Sequence, residues 1–319
     1  MEEKWDALLK KVLSGKMIEK EEVMELWDCG VEELADAADE IRKRFCGNHF
    51  DFCTIINGKS GKCSENCKFC AQSIFHGTGC ETYPLLEKEE LLKLGKYNEE
   101  RGILRYSVVT SGKRLSKKEV EMVCEGYKYL RKNTELSLCG SHGLLDLEDF
   151  TKLKEAGVTR YHNNLETSRR YFPEICTTHS YEEKIQAIQN AKKAGLEVCS
   201  GGIIGMGETR EDRVDLAIEL RKLEVCSVPL NILNPIPGTP LEKLEPISEE
   251  EIRKTAAIFR FLLPNVWIRT AGGRIQLQDG GANLFAGGIN GAITGDMLTT
   301  SGSMIEQDKQ RIQELGYEE

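Results

Sequence analysis

ELSLCGSHGLLDLEDFTKLKEAGVTRYHNN, residues 135–164, holds the unit on which the fold turns. A short apolar run, ELSLC (135–139), is followed by DLEDFTKLKEAG (146–157), a charged, helix-patterned stretch ending in the glycine that a helix C-cap favours. A second strand-like run, TRYHNN (159–164), closes the unit. Strand, helix, strand in this order calls for a parallel pair.

The same alternation extends in both directions. Apolar segments recur at FCTIIN (52–57), LRYSVVT (104–110), EVCSGGIIG (197–205), VPLNIL (228–233), VWIRT (266–270) and GAIT (291–294). Between most of them lie helix-patterned stretches such as SKKEVEMVCEGYKYLRKN (116–133), SYEEKIQAIQNAKKAG (180–195), TREDRVDLAIELRKL (209–223) and SEEEIRKTAAIFRFL (248–262). Eight strands alternating with helices predict an α/β fold, a (β/α)8 TIM-type barrel. Such a barrel needs about 250 residues. The 319-residue chain therefore divides into an N-terminal helical extension over 1–45, a barrel over 46–300 and a tail over 301–319 with a short helix at 303–315. Helix breaks are expected near Gly15 and Gly30, and no repeat, low-complexity tract or linker interrupts the barrel.

Composition narrows the function. Hydrophobic residues make up 40% and charged residues 30%, and no apolar run approaches the roughly 18 to 20 residues of a membrane span. The first residues, MEEKWDALLKKVLSG, read as an amphipathic helix with Trp5, Leu8, Leu9, Val12 and Leu13 on one face rather than as a signal peptide. A net charge of −9, with no long block among the 43 basic residues, argues against a nucleic-acid surface and for a small-molecule partner. Twelve cysteines without an export signal point to the reducing cytoplasm, where clustered thiols bind metals or catalyse rather than form disulfides.

Three of those thiols fall within eight residues: Cys63, Cys67 and Cys70 in CSENCKFC, on the loop after the first predicted strand. A tetrahedral zinc site would want four protein ligands, and the nearest other cysteines, Cys53 and Cys80, are unpaired in sequence. A [4Fe–4S] cluster held by three thiolates leaves one iron open to a substrate or cofactor. Loops after barrel strands are where active sites of this fold sit. Farther on, CSGGIIGMGET (199–209) ends the fifth strand with four glycines, which let backbone approach a ligand closely or take positive φ. YHNNLET (161–167) ends the fourth with two amides and an acid, groups that suit a ureido ring and ribose hydroxyls, or helix capping and strand-end hydrogen bonds.

The C-x3-C-x2-C spacing, with Phe69 before the last cysteine, resembles the signature of the radical S-adenosylmethionine (SAM) enzymes. NGKSGKCSENCKFCAQS, YHNNLETSRRYFPEICTTHSYEEK, VCSGGIIGMGET, SVPLNIL and GDMLTT together resemble, within that superfamily, the biotin synthase family over roughly residues 45 to 300. The resemblance implies that the open iron binds SAM and that one electron cleaves SAM to methionine and a 5′-deoxyadenosyl radical. It implies SAM contacts from Asn164, Glu166, Gly201, Gly202 and Gly205, and dethiobiotin contacts from Asn164 and Asn231. It further implies a flavodoxin or ferredoxin as electron donor, and a homodimer. Where the family often reads Asn-His-Asn, this chain reads His162-Asn163-Asn164, which leaves the role of His162 open.

The family also carries an auxiliary cluster as sulfur donor, in well-known members a [2Fe–2S] cluster held by three cysteines and an arginine. Cys139, Cys199 and Arg269 match three of those positions, but the fourth, on the second strand, is Ser107. A serine oxygen holds iron poorly beside a thiolate. Cys53 stands at the same depth on the first strand, where the well-known members carry serine, and strand alternation puts Cys53, Ile55 and Asn57 on one face. The expected auxiliary ligands are therefore Cys53, Cys139 and Cys199, with Arg269 or a further thiol such as Cys226 or Cys80, around a [2Fe–2S] or a 4Fe-type cluster. Cys29, Cys46, Cys124 and Cys176 are expected to be structural. The alternatives are a radical SAM relative acting on another substrate, of the hydrogenase-maturase or mutase type, and a non-catalytic metal-binding protein.

Overall fold

The computed structural model describes residues 2–295 and 304–318. Three helices lead the chain: α1 (Glu2–Leu13), α2 (Lys20–Met24) and α3 (Val31–Cys46). The barrel follows as β1 (Asp51–Lys59), α4 (Lys88–Glu99), β2 (Arg105–Thr110), α5 (Lys117–Asn133), β3 (Ser137–Ser141), α6 (Leu147–Ala156) and β4 (Arg160–His162). Then come α7 (Phe172–Ile175), α8 (Tyr181–Lys193), β5 (Glu197–Cys199), β6 (Gly202–Ile204), α9 (Arg210–Lys222), β7 (Ser227–Ile232) and α10 (Glu249–Leu262). β8 (Trp267–Thr270), α11 (Ala282–Ala286), β9 (Gly291–Ile293) and α12 (Ile305–Glu314) complete it. The predicted motif GDMLTT (295–300) lies, beyond Gly295, outside the described residues.

Every strand pairing is parallel, in the order β5-β4-β3-β2-β1-β9-β8-β7-β6, and the Cys199–Ser227 pairing of β5 with β7 closes the sheet into a barrel. The eight expected strands are present, the fifth in two pieces. Between β5 and β6 the chain passes so close to its neighbours that an added Cβ would sit 2.0 Å from the Pro229 carbonyl oxygen at Gly201 and 2.3 Å from that of Glu166 at Gly202. Only glycine fits there. The interrupted ladder is restored by backbone bonds from Leu165 and Glu166 to the Gly201 oxygen (3.0 and 3.1 Å) and from Ile203 to the Glu166 oxygen (2.8 Å).

Helix starts follow the capping chemistry. Ser116, Ser180 and Thr209 form reciprocal capping boxes with Glu119, Glu183 and Asp212, and Asp146 and Ser248 cap α6 and α10. Gly157 ends α6 in the left-handed conformation, φ +108°.

Alternation along each strand separates two environments. Tyr106, Val108, Leu138, Val228 and Ile268 join the apolar layer beneath the helices, whereas Cys53, Ser107, Cys139 and Arg269 face the barrel interior. The N-terminal helices share that apolar layer. α3 runs along α10, α2 meets α9, and Ile18, Val23, Leu34 and Ile41 are buried in one continuous core with Leu9 and Val12 of the predicted amphipathic face. The C-terminal helix is fixed by a buried ion pair from Arg274 to Asp308 (2.8 and 2.5 Å) and by Thr294 donating to the same carboxylate at 2.8 Å.

Candidate active site within the barrel

A cavity of about 370 Å³ runs from the loop after β1 into the barrel, and two groups of three thiols line it. Cys63, Cys67 and Cys70 form the first group. Their loop is shaped by its own backbone: Cys63 N–H donates to the Gln72 carbonyl (3.0 Å), Ile74 N–H to that of Cys63 (2.9 Å), and Ser73 Oγ to that of Glu65 (2.6 Å). All three cysteines are free thiols. Burial raises the Cys63 thiol and pushes Cys70 up to about 11. Cys67 is raised chiefly by a shared hydrogen bond with Cys176, and then by burial. Three convergent thiols that need a metal to ionise them are the donor set of an iron–sulfur cluster.

Cys53, Cys139 and Cys199 form the second group, all buried within strands. Ser107 is paired with Cys139 across β2 and β3 and with Ile55 across β1 and β2, so the serine and Cys53 do stand on neighbouring strands facing the same cavity. Burial raises Cys53 and Cys139. Cys199 differs: burial opposes its ionisation, but hydrogen bonding and charge from His162, with Arg269 and Ser227, outweigh it and bring the thiol down to about 7. His162 thereby bears on the Cys199 thiol from the wall of the same cavity.

Arg269 Nε donates to Ser227 Oγ (2.8 Å) and its Nη2 to Asp51 Oδ2 (2.6 Å), while Nη1 is buried without a partner. Arg105 and Arg160 also approach Asp51, at 3.3 and 3.7 Å, and Arg105 Nη1 lies 3.9 Å from Cys139 Sγ. Burial disfavours the Asp51 carboxylate, but Arg269 and Arg105 outweigh it and hold it below its ordinary range. Arg160 also pairs with Glu197 at 2.8 Å, so three guanidinium groups meet two carboxylates and one positive charge remains in excess near the thiols. A polyanionic cluster on Cys53, Cys139 and Cys199 would use both that charge and the orphaned Arg269 nitrogen, so these residues fit such a group. Cys80 and Cys226 do not line the cavity. Cys80 lies beside Ser60 Oγ (3.7 Å). Cys226 directly precedes Ser227, and alternation sends its sulfur the other way, 3.2 Å from the Val198 carbonyl.

At the end of β4, Asn164 Oδ1 accepts from Gly201 N–H (3.0 Å) and its Nδ2 donates to Glu166 Oε2 (3.3 Å). Glu166 holds φ +72°, a conformation that costs a side-chain-bearing residue about 1 kcal/mol and concentrates at functional sites. Asn231 bridges the Gly202 carbonyl (3.1 Å) and Gly272 N–H (2.9 Å). All three residues line the cavity. The glycines do not: close backbone packing accounts for Gly201 and Gly202, and φ +90° for Gly205, while Ile203 presents the side chain.

Several residues here were not singled out by sequence reasoning. Asp51, Arg105 and Arg160 carry no motif. Asn163 lines the cavity with a buried, unpartnered Nδ2, beside Asn164, the amide that the resemblance implies. Cys176, expected to be structural, contacts the sulfur of Cys67 because Lys68 N–H bonds the Ile175 carbonyl (3.0 Å) and draws the two loops together.

Comparison with known proteins agrees with this geometry. Residues 57–220 match the radical SAM superfamily, and residues 229–318 the Biotin and Thiamin Synthesis associated domain. Among solved structures, methylornithine synthase superposes with a TM-score of 0.84 at 20% identity, covering 98% of this chain and 96% of that one. The hydrogenase maturase HydG superposes at 0.83 and 18% identity, covering 99% and 75%. These two share the fold. Curated proteins named biotin synthase are much nearer in sequence. One from Clostridium botulinum is 56% identical with 97% of each chain covered, one from Brachyspira hyodysenteriae 54% with 98% and 94%, and one from Akkermansia muciniphila 53% with 98% and 97%. The thiol loop, the barrel and this similarity over nearly the whole length place the chain in the biotin synthase family of radical SAM enzymes.

Proposed function

We propose that this chain converts dethiobiotin to biotin, taking the inserted sulfur from an auxiliary cluster within its own barrel. The observation that carries the reading is the pair of three-thiol groups opening into one cavity. Cys63, Cys67 and Cys70 would hold a [4Fe–4S] cluster, which with SAM would supply the hydrogen-abstracting radical, and the auxiliary cluster would supply sulfur. The side chains do the rest. Asn164 and Glu166, braced against the β5–β6 break, orient SAM. Asn231, Asn164 and the unpartnered amide of Asn163 offer donors and acceptors to a ureido ring. The barrel wall shields the site from water.

In this reading Cys53, Cys139 and Cys199 are the auxiliary ligands, Ser107 is not, and Arg269 offers its free Nη1 to the cluster. The influence of His162, Arg269 and Ser227 gives Cys199 the most thiolate character of the three. Three thiolates suit a 4Fe-type cluster as readily as a [2Fe–2S] one; iron content separates them, about eight per chain against about six. A flavodoxin or ferredoxin supplies the electron, and the working enzyme is a homodimer.

Anaerobic incubation with dethiobiotin, SAM and a reductant, followed by mass spectrometry, tests the reading. Biotin or a thiolated dethiobiotin is expected. SAM cleavage over several turnovers with neither product would assign the chain to another reaction of the superfamily.

A further inference from the structure

Cys176 and His179 form a C-x2-H pair beside the loop of the first thiol group. The sulfurs of Cys67 and Cys176 and a ring nitrogen of His179 all lie within 4.8 Å of one another. Cys176 Sγ is 3.3 Å from His179 Nδ1 and 3.9 Å from Nε2. Tetrahedral zinc, with bonds of about 2.3 Å to sulfur and about 2.0 Å to nitrogen, requires separations of this order between its ligands.

The surroundings are built like a metal site. Glu65 Oε2 sits 2.6 Å from His179 Nδ1, and both side chains are nearly buried, at 8% and 6% exposure. That contact fixes Nδ1 on the carboxylate and leaves Nε2 for a metal, the carboxylate–histidine–metal arrangement of zinc proteins. Asn66 Oδ1 accepts from the amides of Thr177 (2.9 Å) and Thr178 (3.3 Å), so the 176–179 segment is clamped to the cysteine loop. Ligands that need not move to converge lose little entropy on binding. A thiol kept only for packing would face apolar neighbours; that of Cys176 faces Asn66 Oδ1, Thr178 Oγ1 and His179, each at 3.3 to 3.5 Å.

We propose that Cys67, Cys176 and His179, with water as the fourth ligand, form a site for one thiophilic divalent cation, zinc above all, in the cluster-free chain. Occupancy of that site excludes the first cluster, because both need the sulfur of Cys67; this consequence rests on the cluster reading above. Zinc bound there blocks cluster assembly without touching Cys63 or Cys70.

Cobalt reports on the site. In a full-length, iron-free, reduced chain carrying Cys63→Ser and Cys70→Ser, cobalt titration should show one equivalent more of tetrahedral, thiolate-bound cobalt than in the same chain with Cys176→Ala or His179→Gln added, whatever the thiols of Cys53, Cys139 and Cys199 bind in both, and zinc should displace that equivalent. Circular dichroism verifies that each variant is folded. A cobalt spectrum of equal amplitude in both folded variants overturns the site. In a second experiment, one equivalent of zinc added before iron and sulfide should lower the SAM-responsive EPR signal several-fold in the wild type, and leave it unchanged in Cys176→Ala. Equal zinc sensitivity of the two overturns the exclusion. Failure of zinc-free wild type to assemble any SAM-responsive cluster would instead fault the cluster reading, while the cobalt result would stand.

Discussion

Cys53 and Ser107 stand on adjacent strands with their side chains in one cavity, and in the proposed reading the first, not the second, holds the auxiliary iron. A thiolate binds iron where a serine hydroxyl at neutral pH does not. Cys53→Ala should therefore remove one cluster's complement of iron and sulfide, abolish biotin formation and leave SAM cleavage intact. Ser107→Ala should leave the iron count unchanged. Mössbauer spectra and metal analysis of the two variants check both outcomes; an auxiliary cluster surviving Cys53→Ala rules out the ligand exchange. A residue's surroundings matter as much as its type. Cys199 and Cys53 are both buried thiols, yet His162, Arg269 and Ser227 lower the first while burial raises the second.

Among the elements, α5 shows how local chemistry anchors a barrel helix. Ser116 N–H donates to Glu119 Oε2 (2.8 Å), and Lys59, at the end of β1, reaches Glu119 Oε1 at 2.6 Å. One carboxylate thus caps the helix and ties it to the strand that leads into the thiol loop. Burial resists ionisation of Glu119, but Lys59 and Ser116 outweigh it and hold the pKa at about 2, against an ordinary 4.5. A depressed folded pKa contributes stability above pH 4.5 that is lost as pH falls from there towards 2. Glu119→Ala should cost about 1 kcal/mol at pH 7, the usual worth of such a cap. The gap between wild type and variant should narrow at pH 4; urea unfolding at the two pH values measures it, and an equal gap at both would contradict the linkage.

At the scale of the whole molecule, closure of the barrel depends on contacts between distant parts of the chain. Asp308 of α12 is fully buried and accepts from Arg274, Thr294 and Arg311, uniting the segment after β8, the end of β9 and the C-terminal helix. Removing one partner of a buried pair leaves an uncompensated charge and costs about 3–5 kcal/mol. Asp308→Ala should lower the thermal unfolding midpoint of the holoenzyme by several degrees and render α12 sensitive to protease; a variant as stable as wild type would show that α12 is not held by this pair. No helix among the described residues is long and apolar enough to cross a membrane.

The eight strands, the helices between them and the loop of Cys63, Cys67 and Cys70 were legible in the sequence because each rests on local chemistry: periodicity, capping residues and thiol spacing over a few positions. Cys139, Cys199 and Arg269 were legible only through resemblance, and Cys53 through that resemblance joined to strand alternation. Tertiary structure alone decided the rest. Asp51, Arg105, Arg160 and Arg269 come from four strands, and no local pattern announces that their charges meet. The interruption between β5 and β6 follows from the carbonyls of Pro229 and Glu166, remote in sequence from the glycines they require. Cys176 reads as an ordinary buried thiol until a backbone bond from Lys68 to Ile175 carries it to Cys67, 109 positions away by the numbering. Sequence determines what each residue can donate, accept or bind over short range; which of these groups share a cavity is set by strand register and barrel closure, and those belong to the whole chain.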